Sequence, residues 1–525
     1  MLWGFIKYYH AGVKQGRYNM DAELFRILPD VLNAQTQGKA DKIMEEWVGH
    51  FGIPKPCPNC RMATRKDNVK LSPDYGFLFA VDHFSTSLID KLFYIRDNRD
   101  TSYHHYYAEQ SFSRNAAFMH ERRYKNSWHP DAGLRLLAAY RYWNIVQYYF
   151  PYRDIIGLDW NKQLAEFIVA LNNAGDTTSY IMACKKMVAI IHDGHANISG
   201  ENYDAFIADN RLPPIKTMFI ENQLVIVGYD DTLGIGNKIK PGDVIEQIGN
   251  VPVTTLVKQM LPFVSGSNYS HQLHTLSLGR ELLLTTKKPL LHLTINSNGK
   301  SYEVDLPTQI CPKPVYGHSA FEPHELEKGY KILEGNVGYV YPAKLFRHST
   351  DTIMRMMKNT RGLIVDMRCY PRQSPLGIMK WMKCSTTPFE TSAEMAIDAP
   401  GIFEYHNGTA LKGCDSGCYE GKVVIIVNQS TISQAEFSTM GLSIIKGAIV
   451  IGDTTAGADG DVSVISLPGE LKTGISGTGV QYGNGTQTQR KGVKINKIVR
   501  PTKEGIIARR DEQLEAAIKI IEEVK

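Results

Sequence analysis

Residues 423–446, VVIIVNQSTISQAEFSTMGLSIIK, constrain what this chain can fold into more than any other stretch. Val423 to Val427 is an unbroken β-branched run, the pattern of a strand covered on both faces. Asn428, Gln429, Ser430 and Thr431 then supply turn formers. Beyond them Phe437, Met440, Gly441 and Ile444 recur at i, i+3, i+4 and i+7, the period of an amphipathic helix. Ser433 falls at the start of that helix, where the first backbone N–H groups have no intrahelical partner. Those donors, Gln434 N–H first among them, and the positive end of the helix dipole would stabilise negative charge beside the serine oxygen. Ser433 therefore reads either as a nucleophile or as an ordinary N-cap serine.

A serine hydroxyl is a weak nucleophile until a base takes its proton. Residues 188–200, VAIIHDGHANISG, offer one about 240 residues earlier. Apolar Val188 to Ile191 lead into His192-Asp193-Gly194-His195, and the pattern returns to apolar at Ile198. A histidine beside a glycine at the end of an apolar segment can reach into a cleft, which singles out His195. At this spacing His192 and His195 also read as a metal pair or as two structural histidines. No carboxylate or cysteine set stands nearby to complete a metal site.

The rest of the chain shows its organisation by pattern. Near the N-terminus FIKYYH followed by NMDAELFRILPDVLNA is echoed by IVQYYFPY followed by LDWNKQLAEFIVALNNA. Each half reads as an aromatic-rich helix, a polar loop and a second helix opened by an Asp, with the aromatic side chains as core. Residues 97–131 between the echoes read as an irregular connection, with His104 and His105 at the surface. A helical cap carrying the histidine motif follows over 131–211, after an N-terminal helical region of residues 1–130. From 212 to 310 the elements become short strands: FIENQLVIVGYD has a hairpin pattern, and Pro241-Gly242-Asp243 turns into a strand from Val244 to Ile248. From 334 onward strands alternate with helices at Asp351–Lys358 and near Leu376–Lys383, which predicts an α/β core with a mixed sheet over 320–525. In that core Asp366 and Arg368 read as a structural ion pair, and Asp453 and Glu436 as groups supporting turns. The last helix opens after Asp511 and docks through Leu514, Ala517, Ile518 and Ile521.

Six motifs in order carry a family resemblance: DGHANI, the strand-rich stretch, GLIVDMR, VVIIVNQSTISQAE, IGDTTAG and GVKINKIVRPTKEGIIARRDEQLEAAI. Together they resemble the C-terminal-processing (tail-specific) serine proteases, in the branch with the tricorn protease core and relatives in Bacteroides-type bacteria. The resemblance covers roughly residues 134–525. It implies a multidomain α/β chain with a PDZ-like β domain over 212–310 and a crotonase-like core. It further implies Ser433 as nucleophile, His195 as general base, and peptide or protein as substrate, with no metal or nucleotide. An extracytoplasmic location is implied in the same way. Three departures stand out. No lysine follows Thr455-Ala456-Gly457, which disfavours a Ser–Lys dyad. Gly194 stands where tricorn has a serine, and Gln489 where it has a glutamate; Gln489 is expected to orient His195 by hydrogen bonding without supplying charge. Finally, the glycines of D-L-R-x-N-x-G-G become Asp366-Met367-Arg368-Cys369-Tyr370-Pro371-Arg372-Gln373, and Pro371 has no N–H to give an oxyanion. Gln434 N–H is left as the expected oxyanion donor. In the PDZ-like stretch Leu233-Gly234-Ile235-Gly236 is the candidate carboxylate loop, and a lid or spacer is the competing reading.

Composition sets the outer bounds. A chain of 525 residues with 43% hydrophobic and 22% charged residues is globular, and at roughly 100–200 residues per domain it holds about three or four. A net charge of +5 with no basic block gives nucleic acid binding no support. No apolar run approaches the roughly 20 residues of a membrane span. Nor does MLWGFIKYYHAGVKQGRYN read as a signal peptide, since Lys7 and His10 interrupt it; Met1 is accordingly expected to be an internal start. Eight cysteines are too dilute for a disulfide scaffold. Cys57-Pro58-Asn59-Cys60 reads as a local disulfide or free thiols ahead of a zinc site. Two functions survive: a serine peptidase acting through Ser433 and His195, and a peptide-binding scaffold that keeps the fold without turnover.

Overall fold

The computed structural model describes residues 1–58, 60, 68–80, 82–102, 104–125, 127–278, 283–310, 326–346, 350–385 and 388–523. The β-branched run forms strand Lys422–Val427 near the centre of a six-stranded sheet. The order is Tyr330–Leu333, Val337–Val340, Gly362–Asp366, Lys422–Val427, Ile449–Gly452, Lys497–Ile498, parallel throughout except at the first, antiparallel edge. Alternate residues of one strand point to opposite faces. Val423, Ile425 and Val427 therefore meet the layer holding Met354, Met357 and Met440. Val424 and Ile426 meet Ala517 and Ile521 of the last helix, Glu512–Glu522. That helix opens as expected, with Asp511 Oδ1 accepting the Leu514 N–H at 3.0 Å. Buried Arg368 forks between Asp366 and Asp511, 2.7 Å from each, and ties the end of a central strand to it. The helix expected near Leu376–Lys383 is a 3-10 run over Pro375–Trp381. Pro375 at its start and Gly377 inside it give little α propensity.

A second, antiparallel sheet runs in the order Lys300–Pro307, Leu290–Ser297, Val244–Ile248, Gln223–Tyr229, Ile215–Ile220. Glu221 and Asn222 close its hairpin with φ of 52° and 63°, as a two-residue turn matched to strand twist requires. Helices Val253–Met260 and Tyr269–Ser277 cover one face. Ile215–Ile220 is the edge strand, and Thr217 Oγ1 donates to the Ser277 carbonyl at 2.9 Å, holding the second helix beside that edge.

The N-terminal helices share one core that runs from Leu2 to Ile207 and also takes in Ile465, Leu467, Leu471 and Ile475 from the hairpin of strands Val462–Leu467 and Leu471–Ser476. Helix Leu2–Tyr9 meets the long helix Ala132–Tyr149 through Tyr8, whose ring packs edge-on against Tyr148 and Tyr149. The echoed helices exist, though Met20–Leu32 opens on Asn19 where Trp160–Asn172 opens on Asp159. Between them lies a buried charge cluster: Arg141 reaches Glu121 and Asp21, each at 2.8 Å, and Lys7 pairs with Glu121. His104 is exposed, but His105 is buried, with Nε2 meeting the Tyr8 carbonyl at 3.2 Å. An irregular segment has no period to separate inside from outside, so the sequence could not place it. Cys57 and Cys60 are joined as a disulfide. Among the described residues no helix is long and apolar enough to cross a membrane.

Burial pushes His105 and His271 down to about 3 and His274 to about 4, from an ordinary 6.5. The unfolded chain takes up those protons below about pH 6.5 and the folded chain does not. Stability is therefore full above that pH and lost as pH falls toward 4, by about 1.4 kcal/mol per pH unit for each group. Melting temperature should drop steadily between pH 7 and 4.5, and His105→Gln should flatten the decline. A decline unaltered by that change would mean that His105 titrates normally in the folded protein.

Candidate active site

Ser433 stands at the junction of the turn after Lys422–Val427 and helix Gln434–Ser443, with φ 54° and ψ −120°. A side-chain-bearing residue pays on the order of 1–3 kcal/mol to sit in such a region. Its hydroxyl makes no capping bond, and no hydrogen bond at all among the described residues. An N-cap serine has extended backbone and a side chain bonded to a helix N–H, so the ordinary-cap reading fails on both counts. The Gln434 N–H, first in the helix, has no acceptor among the described residues.

Glu436, one turn into the helix and fully buried, holds this geometry. Its carboxylate accepts from Thr455 Oγ1 at 2.5 Å, Gly457 N–H at 2.8 Å and Ala458 N–H at 2.9 Å. Burial raises its pKa, and these donors offset only part of the rise. The loop so gathered returns two bonds: Ser433 N–H donates to Ala458 O at 2.9 Å, and Ala456 N–H to Thr431 O at 3.0 Å. From the other side Thr431 Oγ1 donates to Met367 O at 2.8 Å.

His195 lies nearly buried in the loop after helix Thr177–Ala189. Its Nδ1 is 2.9 Å from Ser476 Oγ, and that hydroxyl donates to Asp193 Oδ1 at 3.0 Å. Ser476 gives its one proton to Asp193, so toward His195 it can only accept. The network thus assigns the imidazole proton to Nδ1 and leaves a lone pair on Nε2. Nε2 is buried without a partner among the described residues. Burial would raise the Asp193 carboxyl, but bonds from His195 and the Ser476 N–H, the latter at 2.6 Å, hold it below its ordinary value. Ala458 joins the two halves: its carbonyl takes the Ser433 N–H, and a Cβ placed on Gly194 would sit 3.0 Å from its methyl. The same Cβ would lie 3.0 Å from the His271 ring, which is why glycine precedes the histidine.

Gln489, expected to orient His195, does not do so here. It is buried, and neither its Oε1 nor its Nε2 has a partner among the described residues. Ser476 already occupies His195 Nδ1, so no proton is left there for Gln489 to hold. Of the segment that replaces the oxyanion glycines, Arg372 N–H is spent on Pro342 O at 3.1 Å. His192 turns at φ 50° and forms no metal cluster with His195; among the described residues no such cluster exists. Ser476 lies 281 residues from His195 and no local pattern points to it, whereas Asp193 is a near neighbour in the motif. Also unforeseen is the face beside them. Val462 pairs with Ser476 and Val464 with Gly474 across the hairpin, so both share the histidine's face, with 39% and 54% of their surface exposed.

Residues 385–502 match the family model of peptidase family S41. Among solved structures the chain is similar to mature CPAF (13% identity, TM-score 0.57), covering 74% of this chain and 96% of that one. It is also similar to mature CPAF complexed with lactacystin (13%, TM-score 0.56, 74% and 98%). At such identity the likeness shows the fold. The photosystem II D1 C-terminal processing protease covers 72% of this chain and 97% of its own at 15% identity, with a TM-score of 0.39. No curated protein sequence matches the chain.

The tautomer is directly measurable. In nitrogen NMR at neutral pH, His195 should show a protonated Nδ1 and a bare Nε2, and Ser476→Ala should let the two tautomers mix. A proton found on Nε2 in the parent protein would refute the assigned network. Glu436→Ala strands three buried donors at about 1 kcal/mol or more each, so urea unfolding should show a loss of about 3 kcal/mol. A loss under about 1 kcal/mol would show that the loop does not depend on this carboxylate.

Proposed function

We propose that this chain, which matches peptidase family S41 over residues 385–502, cleaves peptide bonds with Ser433 as nucleophile and His195 as general base. The observation that carries the reading is the strained Ser433 whose hydroxyl, unlike an N-cap's, has no hydrogen bond among the described residues. Ser433 Oγ attacks the scissile carbonyl carbon while its proton passes to His195 Nε2. The oxyanion takes the Gln434 N–H, aided by the helix dipole. Ser476 keeps the imidazole oriented, and the Asp193 carboxylate behind it stabilises the imidazolium. Collapse returns the proton to the leaving amine and leaves an ester on Ser433. Water deprotonated by His195 then frees the acid. Asp193 thus brings the charge that Gln489 cannot, which answers one of the two departures behind the scaffold reading; the absent oxyanion glycines are the other. The exposed Val462 and Val464 give the site an apolar floor.

The two sheets receive roles in the same reading. The α/β region is the crotonase-like protease core. The antiparallel sheet is PDZ-like, and a peptide adds to its Ile215–Ile220 edge beside helix Tyr269–Ser277. A peptide with a free carboxyl end should then bind the full chain better than its amide; equal affinity would leave the module as a lid or spacer.

A fluorophosphonate probe should label the protein, and Ser433→Ala should abolish labelling. His195→Ala should slow turnover on the order of a thousand-fold, and the double variant should be no worse, since the two act as a unit. Burial keeps His271 and His274 neutral until about pH 4, so their protonation should not alter activity above that pH. Lys446→Met and Lys472→Met should each leave turnover within a few-fold. A loss from either as deep as that of Ser433→Ala would restore a lysine base. A folded parent protein that binds peptide yet neither labels nor cleaves would be a scaffold.

A further inference from the structure

One short stretch of the antiparallel module bonds to the loops of both proposed catalytic side chains. Ser265 Oγ donates to Ala196 O, one residue past His195. Ser267 Oγ accepts the Gly194 N–H, one residue before it, at 2.9 Å. Asn268 Nδ2 donates to Thr455 O at 2.8 Å and to Ala456 O at 3.0 Å. Thr455 is the residue whose hydroxyl Glu436 holds, and Ala456 is bonded to the serine turn. Asn268 also opens helix Tyr269–Ser277, its Oδ1 accepting the His271 N–H at 2.9 Å. One carboxamide thus caps a module helix with its oxygen and holds the loop behind the nucleophile with its nitrogen. Ser265 and Ser267 are buried, so water does not replace these bonds without the module lifting off.

We propose that Asn268, with Ser267, is a positioning residue of the peptidase: it sets the distance between the His195 loop and the Ser433 loop. The two loops also meet at the apolar Gly194–Ala458 contact and are bridged farther out by Arg490, whose N–H donates to Gly457 O at 2.8 Å and whose Nη2 donates to Ile191 O at 3.1 Å; the Ser267 and Asn268 bonds lie nearer the two side chains. Displacing a reacting group by about 1 Å costs on the order of a hundred-fold in rate, and the Asn268 bonds fix position on that scale. The same helix is pinned at its far end to the edge strand through Thr217 and Ser277. The docked module is therefore part of the active arrangement, and lifting it uncouples nucleophile from base. The inference rests on the reading of Ser433 and His195 given above.

Asn268→Asp separates the two jobs of the side chain. An aspartate still caps the helix, but it turns a carboxylate oxygen toward two carbonyl oxygens where a donor stood. In the full-length protein, labelling by a fluorophosphonate probe should slow at least tenfold. The slowing should appear in the maximal labelling rate, with the probe's half-saturating concentration within about twofold. Near-UV circular dichroism and His195 tautomer signals should stay as in the parent. Ser267→Ala, which strands the Gly194 N–H, should slow labelling as well, and the pair should show less than the product of the two effects, since both act on one distance. Should Asn268→Asp fail to fold, Ser267→Ala carries the test alone. Labelling of either folded variant at the parent rate overturns the positioning role while leaving Ser433 as nucleophile. A parent protein that does not label at all removes both.

Discussion

The buried carboxylate of Glu436 is the interaction on which the site depends. A carboxylate taken out of water is unfavourable unless donors surround it, and here they come from one loop, Thr455 to Ala458. Gathering that loop against the first turn of the serine helix places the Ala458 carbonyl on the Ser433 N–H. The strained backbone of Ser433 is thereby over-determined, the condition under which such strain persists. Asp459, next in the loop, is buried as well; burial, and then the Glu436 charge, push its carboxyl well above the usual carboxylate range.

Charge for the imidazole comes from elsewhere. Asp193 reaches His195 through Ser476, and Ser476 belongs to a hairpin whose other face is embedded in the core of the N-terminal helices. Gly474 in the same strand lets the His195 backbone approach, since a Cβ there would lie 3.0 Å from the His195 carbonyl oxygen. The helical region thus does more than cap the protein. Its long helix Ala132–Tyr149 packs on that hairpin, and residues of its core immobilise the strand that carries Ser476 to His195. Ser433, by contrast, is held by the parallel sheet. The site lies where three separately cored parts meet.

What could be read from sequence follows the range of the physics. The β-branched run, the serine at the helix entry, the hairpin at Glu221-Asn222 and the docking of the last helix are set by residues within a few positions of each other, and each appears where its pattern put it. His105 and Gln489 show the limit. Nothing local tells a histidine in an irregular stretch that the Tyr8 carbonyl waits for it. Gln489 is pointed at His195 only by its place in a motif, but hydrogen-bond capacity at an imidazole nitrogen is exclusive, and Ser476 fills it.

By itself the sequence determined the α/β class of the C-terminal half, the strand-rich module before it, and the serine at the helix entry; from the same patterns come Ser433 and His195 as the proposed nucleophile and base. Periodicity and turn chemistry act over a turn or a strand, so one chain suffices to show them. Only the tertiary structure decided which group faces His195 Nδ1, which carboxylate gathers the loop behind Ser433, and that Ser267 and Asn268 of the module bind both loops. Those contacts join residues up to 281 positions apart. Hydrogen bonding carries no sequence period, and its partners become visible once the cores have packed.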